Sequence, residues 1–192
     1  MIKIFFIILL IVQTLRIFNK YEQHTLESIF FIWSLIFIIV LIDCLFESIF
    51  GFNSLGFSSP MQGRIASFFG DELVVGAFIH GFALIFLSYL IHKSINNYLI
   101  ILCILFIIII SFLIGERSNF IKLFVALVIF STFAINIKLF HKILSFFILI
   151  SLIFGILNFN KNYKYRYYIQ IKEMIGNVGI TELYKNSQYG AH

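Results

Sequence analysis

The sequence predicts an all-α fold, a polytopic transmembrane helical bundle of about six spans that ends in the start of a larger loop. Three observations carry that expectation. The 192 residues are 61% hydrophobic and only 12% charged, with a mean hydropathy of +1.02, which leaves too little polar surface to cover a soluble domain of this length. The apolar residues fall in runs approaching the ~20 needed for a helix to cross a bilayer. No ten-residue alternating pattern supports a barrel, and backbone groups in hydrocarbon must then bond within helices.

The spans are expected at Ile2–Phe18, Ile29–Leu45, Leu73–Ile91, Tyr98–Ile114, Phe120–Ile137 and Ile143–Leu157. Lys3 followed by an apolar run fits the start of a signal peptide, but Gln13, Thr14, Leu15 and Arg16 form no small-residue cleavage site, so an uncleaved first span is expected. The connections His92–Asn97, Gly115–Asn119 and Lys138–Lys142 are short and force antiparallel hairpins. The longest connection, Phe46–Glu72, holds Gly51, Gly56, Gly63 and the single proline, Pro60, and reads as a loop with room for a short interfacial helix. Residues 1–157 form the transmembrane domain. From Asn158 the character changes: Tyr163-Lys164-Tyr165-Arg166-Tyr167-Tyr168 reads as an interfacial collar rather than a nucleic-acid surface, and 158–192 as the beginning of a truncated loop.

The net charge of +5 suits contact with anionic lipid or phosphate better than with nucleic acid, since no soluble basic domain exists. Cys44 and Cys103 fall toward opposite membrane faces and cannot pair. The five histidines have no metal-ligand spacing, and neither a metal nor a cofactor is expected.

Two arginines stand out. Arg64 opens GRIASFFGDELVVG before a span, and Arg117 lies in GERSN between two spans. A guanidinium at a bilayer boundary must snorkel, pair or bind an anion. For a single arginine, snorkelling as an interfacial anchor is the commoner outcome. Asp71 and Glu72 are expected in the first turn of the Leu73–Ile91 span, where carboxylates meet the helix dipole favourably. Gly115 is expected to end one helix, with Ser118 or Asn119 capping the next. Glu116 and Arg117 are sequence neighbours and would not face each other on a regular helix, which points Arg117 to a longer-range partner or a ligand. In the same span Gly76 and His80 share a face, as do Ala77 and Gly81, suggesting close helix packing. His80 near mid-membrane is expected to donate one bond to a neighbouring helix, with a functional role as the alternative.

The order Asp43…Glu47…Gly51, then Gly63–Gly76, then Gly115–Asn119, then NSQYGAH at Asn186–His192 resembles bacterial O-antigen ligase and O-antigen polymerase proteins, from about Ile29 onward. The resemblance implies a multi-pass glycosyltransferase of the bacterial cytoplasmic membrane. It would take a polyprenyl diphosphate-linked glycan and pass it to an acceptor lipid such as lipid A core, or, in a polymerase, extend the chain. It implies that Arg64 and Arg117 bind the diphosphate without a metal, that Asp71, Glu72 and Glu116 support them, and that the tail opens an extracytoplasmic loop. That family's histidine-bearing external loop has no counterpart here, and His192 does not match its motif. The expectation is therefore a partial chain, inactive in transfer by itself, with its catalytic base unassigned. Flanking Lys and Arg counted whole favour the opposite orientation; setting aside Arg64, Arg117 and the tail restores the one implied. A small transporter subunit, or a structural membrane protein with interfacial arginines only, are the readings from other classes.

Overall fold

The structure is a computed structural model and describes residues 23–61, 63–72 and 74–159, together with residues 12, 16, 163 and 167. Among the described residues five α-helices follow in order: α1 (Gln23–Phe50), α2 (Val75–His92), α3 (Asn97–Ile114), α4 (Arg117–Ala134) and α5 (Leu139–Phe159), with a 3-10 turn at Ser67–Glu72 between α1 and α2. Each contains a segment long and apolar enough to cross a membrane. At 1.5 Å per residue, an 18-residue helix such as α2, α3 or α4 runs about 27 Å, close to the hydrocarbon thickness. The expected span Ile2–Phe18 lies outside the described residues apart from Val12 and Arg16, which are helical.

The α3 helix is the centre of the bundle and packs against all four others. It is buried at Ile100, Ile104, Ile107, Ile108, Ser111 and Ile114, and also at Ile101, Ile110 and Phe112 on other sides. A helix apolar all round belongs in a core or a membrane, and α3 still turns Leu99 and Leu102 outward. The outer helices turn large apolar stripes outward: Ile121, Val125, Ile129 and Phe133 on α4, and Phe140, Ile143, Phe147, Ile150 and Phe154 on α5. Stripes of that size on a protein surface need an apolar environment. Between α1 and α2 an aromatic seam forms, with Trp33 stacked on Phe82 at 4.8 Å and Phe37 against Phe86 at 5.1 Å.

Several boundaries depart from expectation. The α1 helix runs from Gln23 to Phe50, past the expected Ile29–Leu45 and into the expected loop, and α5 starts at Leu139 rather than Ile143, within the expected connection. The α2 helix starts at Val75, so Asp71 and Glu72 belong to the preceding 3-10 turn rather than to its first turn. Gly70, at φ 59° and ψ −130°, breaks that turn and keeps it from running on into the helix. The α4 helix starts at Arg117, with Glu116 as its N-cap residue; Ser118 and Asn119 lie inside the first turn and cap nothing. Gly115 does end α3, in the left-handed conformation at φ 79°, where glycine carries no Cβ penalty.

Candidate functional site

The C-terminal ends of α1 and α3, the N-terminal ends of α2 and α4, and the loop 51–74 gather at one end of the bundle. The loop is organised from inside. Asp43 and Glu47 lie four residues apart on one face of α1 and are only 3% and 4% exposed. Glu47 accepts from the backbone N–H groups of Ser67 (Oε2, 2.6 Å) and Ala66 (Oε1, 3.2 Å). Asp43 accepts from the Ser67 hydroxyl at 2.6 Å and from the Ser54 N–H at 2.8 Å. Buried carboxylates are costly unless hydrogen-bonded, and here the donors come from the chain itself; neither forms an ion pair among the described residues.

Ser67 is the hub. Its N–H goes to Glu47, its hydroxyl to Asp43, and its carbonyl accepts from the Asn53 side chain at 2.8 Å. Asn53 in turn accepts at Oδ1 from the N–H groups of Leu55 and Phe57, closing the first half of the loop. Ser67 sits at φ 50°, a left-handed conformation that costs a residue with a Cβ about 1–3 kcal/mol and persists only when its surroundings enforce it.

Arg64 lies three residues before this hub. Its neighbour Ile65 donates its N–H to the carbonyl of Ile114, the last residue of α3, at 3.3 Å. That bond brings Arg64 to the segment carrying Glu116, 52 residues later, and the Arg64 Nη2 lies 3.5 Å from Glu116 Oε1. The contact is at the outer limit of a hydrogen bond. Arg64 Nε is buried and has no hydrogen-bond partner among the described residues.

Glu116 is held from two further sides. Asn119 donates to its Oε2 at 2.6 Å. On the other side stands Gly76, where an added Cβ would overlap the Glu116 carboxylate. Arg117, half-buried, opens α4 one residue beyond Glu116. At the end of α3 the Leu113 carbonyl accepts from the Tyr163 hydroxyl (3.0 Å), and the Phe112 carbonyl, which also takes the Gly115 N–H at 3.1 Å, accepts from the Tyr167 hydroxyl (2.9 Å); the Tyr167 ring stacks on Phe112 at 4.5 Å. Helix ends need such partners, so these two tail tyrosines, expected only as part of an interfacial collar, brace the α3 end from which Glu116 emerges.

Of the residues singled out in the sequence, Arg64 and Glu116 come into contact and Arg117 sits beside Glu116. Asp71 and Glu72 lie in the 3-10 turn; their side chains fall outside what the structure describes. His80 is half-buried on α2 and makes no hydrogen bond among the described residues, so the bond expected of it is not formed. Gly81 meets nothing within 4 Å of where a Cβ would be, so of the two glycines only Gly76 serves close packing. Asp43 and Glu47 enter the sequence reading only as markers of a resemblance. Two carboxylates at i, i+4 within an apolar span were the available signal, since such groups almost always face a partner.

The opposite end of the bundle is built differently. There Lys93 donates to Glu27 at 2.8 Å, with His92 3.7 Å from the same carboxylate. A cavity of about 430 Å³ between α1 and α2, at this end, has Glu27, Ser88 and His92 among its lining residues.

No known protein family, curated protein or solved structure matches the chain. The fold defines the class: an all-helical, multi-pass membrane protein with a buried polar knot at one end.

Proposed function

We propose that the Arg64–Glu116 end binds the diphosphate of a polyprenyl-linked glycan, as part of an O-antigen ligase-like transfer of that glycan to an acceptor lipid in the bacterial envelope. One observation carries the reading. The guanidinium of Arg64 is partly buried at a helix-end cluster, its Nε is without a partner among the described residues, and its one contact there is a long one to Glu116. A guanidinium has five N–H donors in a fixed fork that matches phosphate oxygens. A cation so placed keeps donors for an anion, whereas a snorkelling anchor would extend into water.

In such a transfer the acceptor hydroxyl attacks the anomeric carbon and the diphosphate departs with the bonding pair. Negative charge grows on the leaving oxygens, and a fixed guanidinium stabilises it more as it develops. Glu116 orients Arg64, and Arg117, on the adjacent helix start, is the second cation of the site. Polymerase chemistry would use the same end with a glycan acceptor. The transporter reading is the weaker one, because Asp43 and Glu47 are consumed by the loop and Lys142 donates to the Thr132 carbonyl in the last turn of α4, leaving these groups no shared pathway.

The test is binding of undecaprenyl diphosphate to the chain in lipid nanodiscs. Arg64→Ala and Arg117→Ala should each weaken it about tenfold, the equivalent of about 1.4 kcal/mol, and Arg64→Lys should not restore it, since an ammonium lacks the fork. Unchanged binding in both alanine variants would sink the proposal, as would a cytoplasmic signal from a reporter fused after Leu157.

A further inference from the structure

We infer that Asp43 and Glu47 are positioning residues for Arg64: they fix the strained Ser67, and through it the backbone that delivers the guanidinium to Glu116. The inference rests on the reading of Arg64 as an anion-binding group, and it assigns work to the two most deeply buried carboxylates described in the bundle. Every polar group of Ser67 is engaged, two of its three bonds go to these carboxylates, and its φ of 50° lies in the left-handed region that is uncommon for a residue with a Cβ. Between Arg64 and Ser67 stand only Ile65 and Ala66. Ile65 is tied to the end of α3 and Ala66 to Glu47. The short segment is thus bolted to α1 on one side and α3 on the other. Among the described residues, Arg64 itself has only the 3.5 Å contact to Glu116 and a turn bond from its N–H to the Met61 carbonyl.

A positioning role separates from simple stabilisation in a specific way. If the bolts merely stabilise the fold, releasing one lowers the unfolding temperature and leaves the Arg64–Glu116 interaction intact. If they place Arg64, releasing one removes that interaction while the bundle stays folded. Glu47→Gln is the sharper change, because an amide has one acceptor oxygen and turns an NH2 toward a backbone N–H it must accept from. Ser67→Gly is the milder one. It keeps the N–H for Glu47, loses the hydroxyl bonded to Asp43, and relieves the left-handed strain, so it remains folded where Glu47→Gln fails to.

The experiment is a mutant cycle on the full chain in lipid nanodiscs, read by Tm. Arg64→Ala, Glu116→Ala and the double variant are compared in the native, Glu47→Gln and Ser67→Gly backgrounds. In the native background the double variant should fall short of the sum of the single shifts by about 2 °C, as expected of a contacting pair. In the other two backgrounds the shifts should become additive. Equal non-additivity in all three overturns the inference, and so does its absence in the native chain. A second arm uses farnesyl diphosphate as the probe, and Glu47→Gln should weaken its binding about tenfold. A native chain that fails to bind this probe defeats the diphosphate reading, while the cycle still decides the positioning role.

Discussion

The two ends of the bundle solve the same problem, a carboxylate on α1, in opposite ways. At one end Asp43 and Glu47 are buried and accept from backbone N–H groups and a hydroxyl of a loop. At the other, Glu27 is half-exposed and pairs with Lys93 and His92. Withdrawing a buried acceptor strands its donors without water to replace it, whereas an exposed pair is screened and its members are rehydrated. The first arrangement therefore dictates a shape. The second decorates one. This is why the knot beside Arg64 is tied by backbone N–H groups and a hydroxyl rather than by a lysine.

The largest effect should come from Glu47→Ala, which leaves the N–H groups of Ala66 and Ser67 buried and unpaired. At about 1–3 kcal/mol for each stranded donor, a loss of about 2–6 kcal/mol in unfolding free energy is expected, measured by denaturant titration in detergent micelles. A loss under a fifth of that would mean that water reaches the knot, and the contrast between the two ends would collapse.

Next in size is Gly76→Ala. The added methyl meets the Glu116 carboxylate, so Glu116 must leave either Arg64 or Asn119. Overpacking of this kind costs about 1–3 kcal/mol, and it should also weaken undecaprenyl diphosphate binding, while Gly81→Ala, which faces open space, should leave binding unchanged and gain up to about 1 kcal/mol of helix propensity. Equal effects from the two substitutions would show that Gly76 matters through helix propensity alone.

A smaller change tests the bracing of α3. Tyr167→Phe keeps the ring on Phe112 and removes only the hydroxyl bond to its carbonyl, a loss of about 1 kcal/mol. Tyr167→Ala should cost more by the lost stacking. If the phenylalanine variant were as damaging as the alanine one, the hydroxyl rather than the ring would be the brace.

How much of this was legible in the sequence follows from range. The spans were, because run length and the short hairpin connections are local signals, and Gly115 announced the end of α3 for the same reason. The ends of α2 and α4 were not. Asp71 and Glu72 have the composition of a first helical turn, yet Gly70 breaks the chain there and the helix begins only at Val75. Ser118 and Asn119 are good capping residues by type, but Glu116 takes the N-cap position and draws the Asn119 side chain to itself. The site was half legible. Arg64 and Arg117 stand out as boundary charges, but the Arg64–Glu116 contact spans 52 residues and exists only because the Ile65 N–H reaches the end of α3. Ser67 was illegible altogether, since a left-handed serine carries no mark that distinguishes it from any other until its three partners are seen.

The smallest effect is reserved for the exposed end, and it is the one that makes the comparison quantitative. Lys93→Ala removes the ammonium that donates to Glu27 and leaves a carboxylate with 43% side-chain exposure, which water can solvate in its place. Unfolding free energy at neutral pH should stay within experimental error of the native chain. The bond to Glu27 holds the Lys93 pKa above its ordinary value, so on the lysine side whatever it contributes is present in full at neutral pH and fades as pH rises through the lysine range. The stability difference between native chain and Lys93→Ala should therefore be flat through neutral pH and shrink in strong alkali, where Lys93 loses its proton, and in acid, where the Glu27 carboxylate gains one. A Lys93→Ala penalty approaching that of Glu47→Ala would mean that Glu27 is as dependent on its partner as the buried pair is on the loop, and burial would no longer be what separates the two ends.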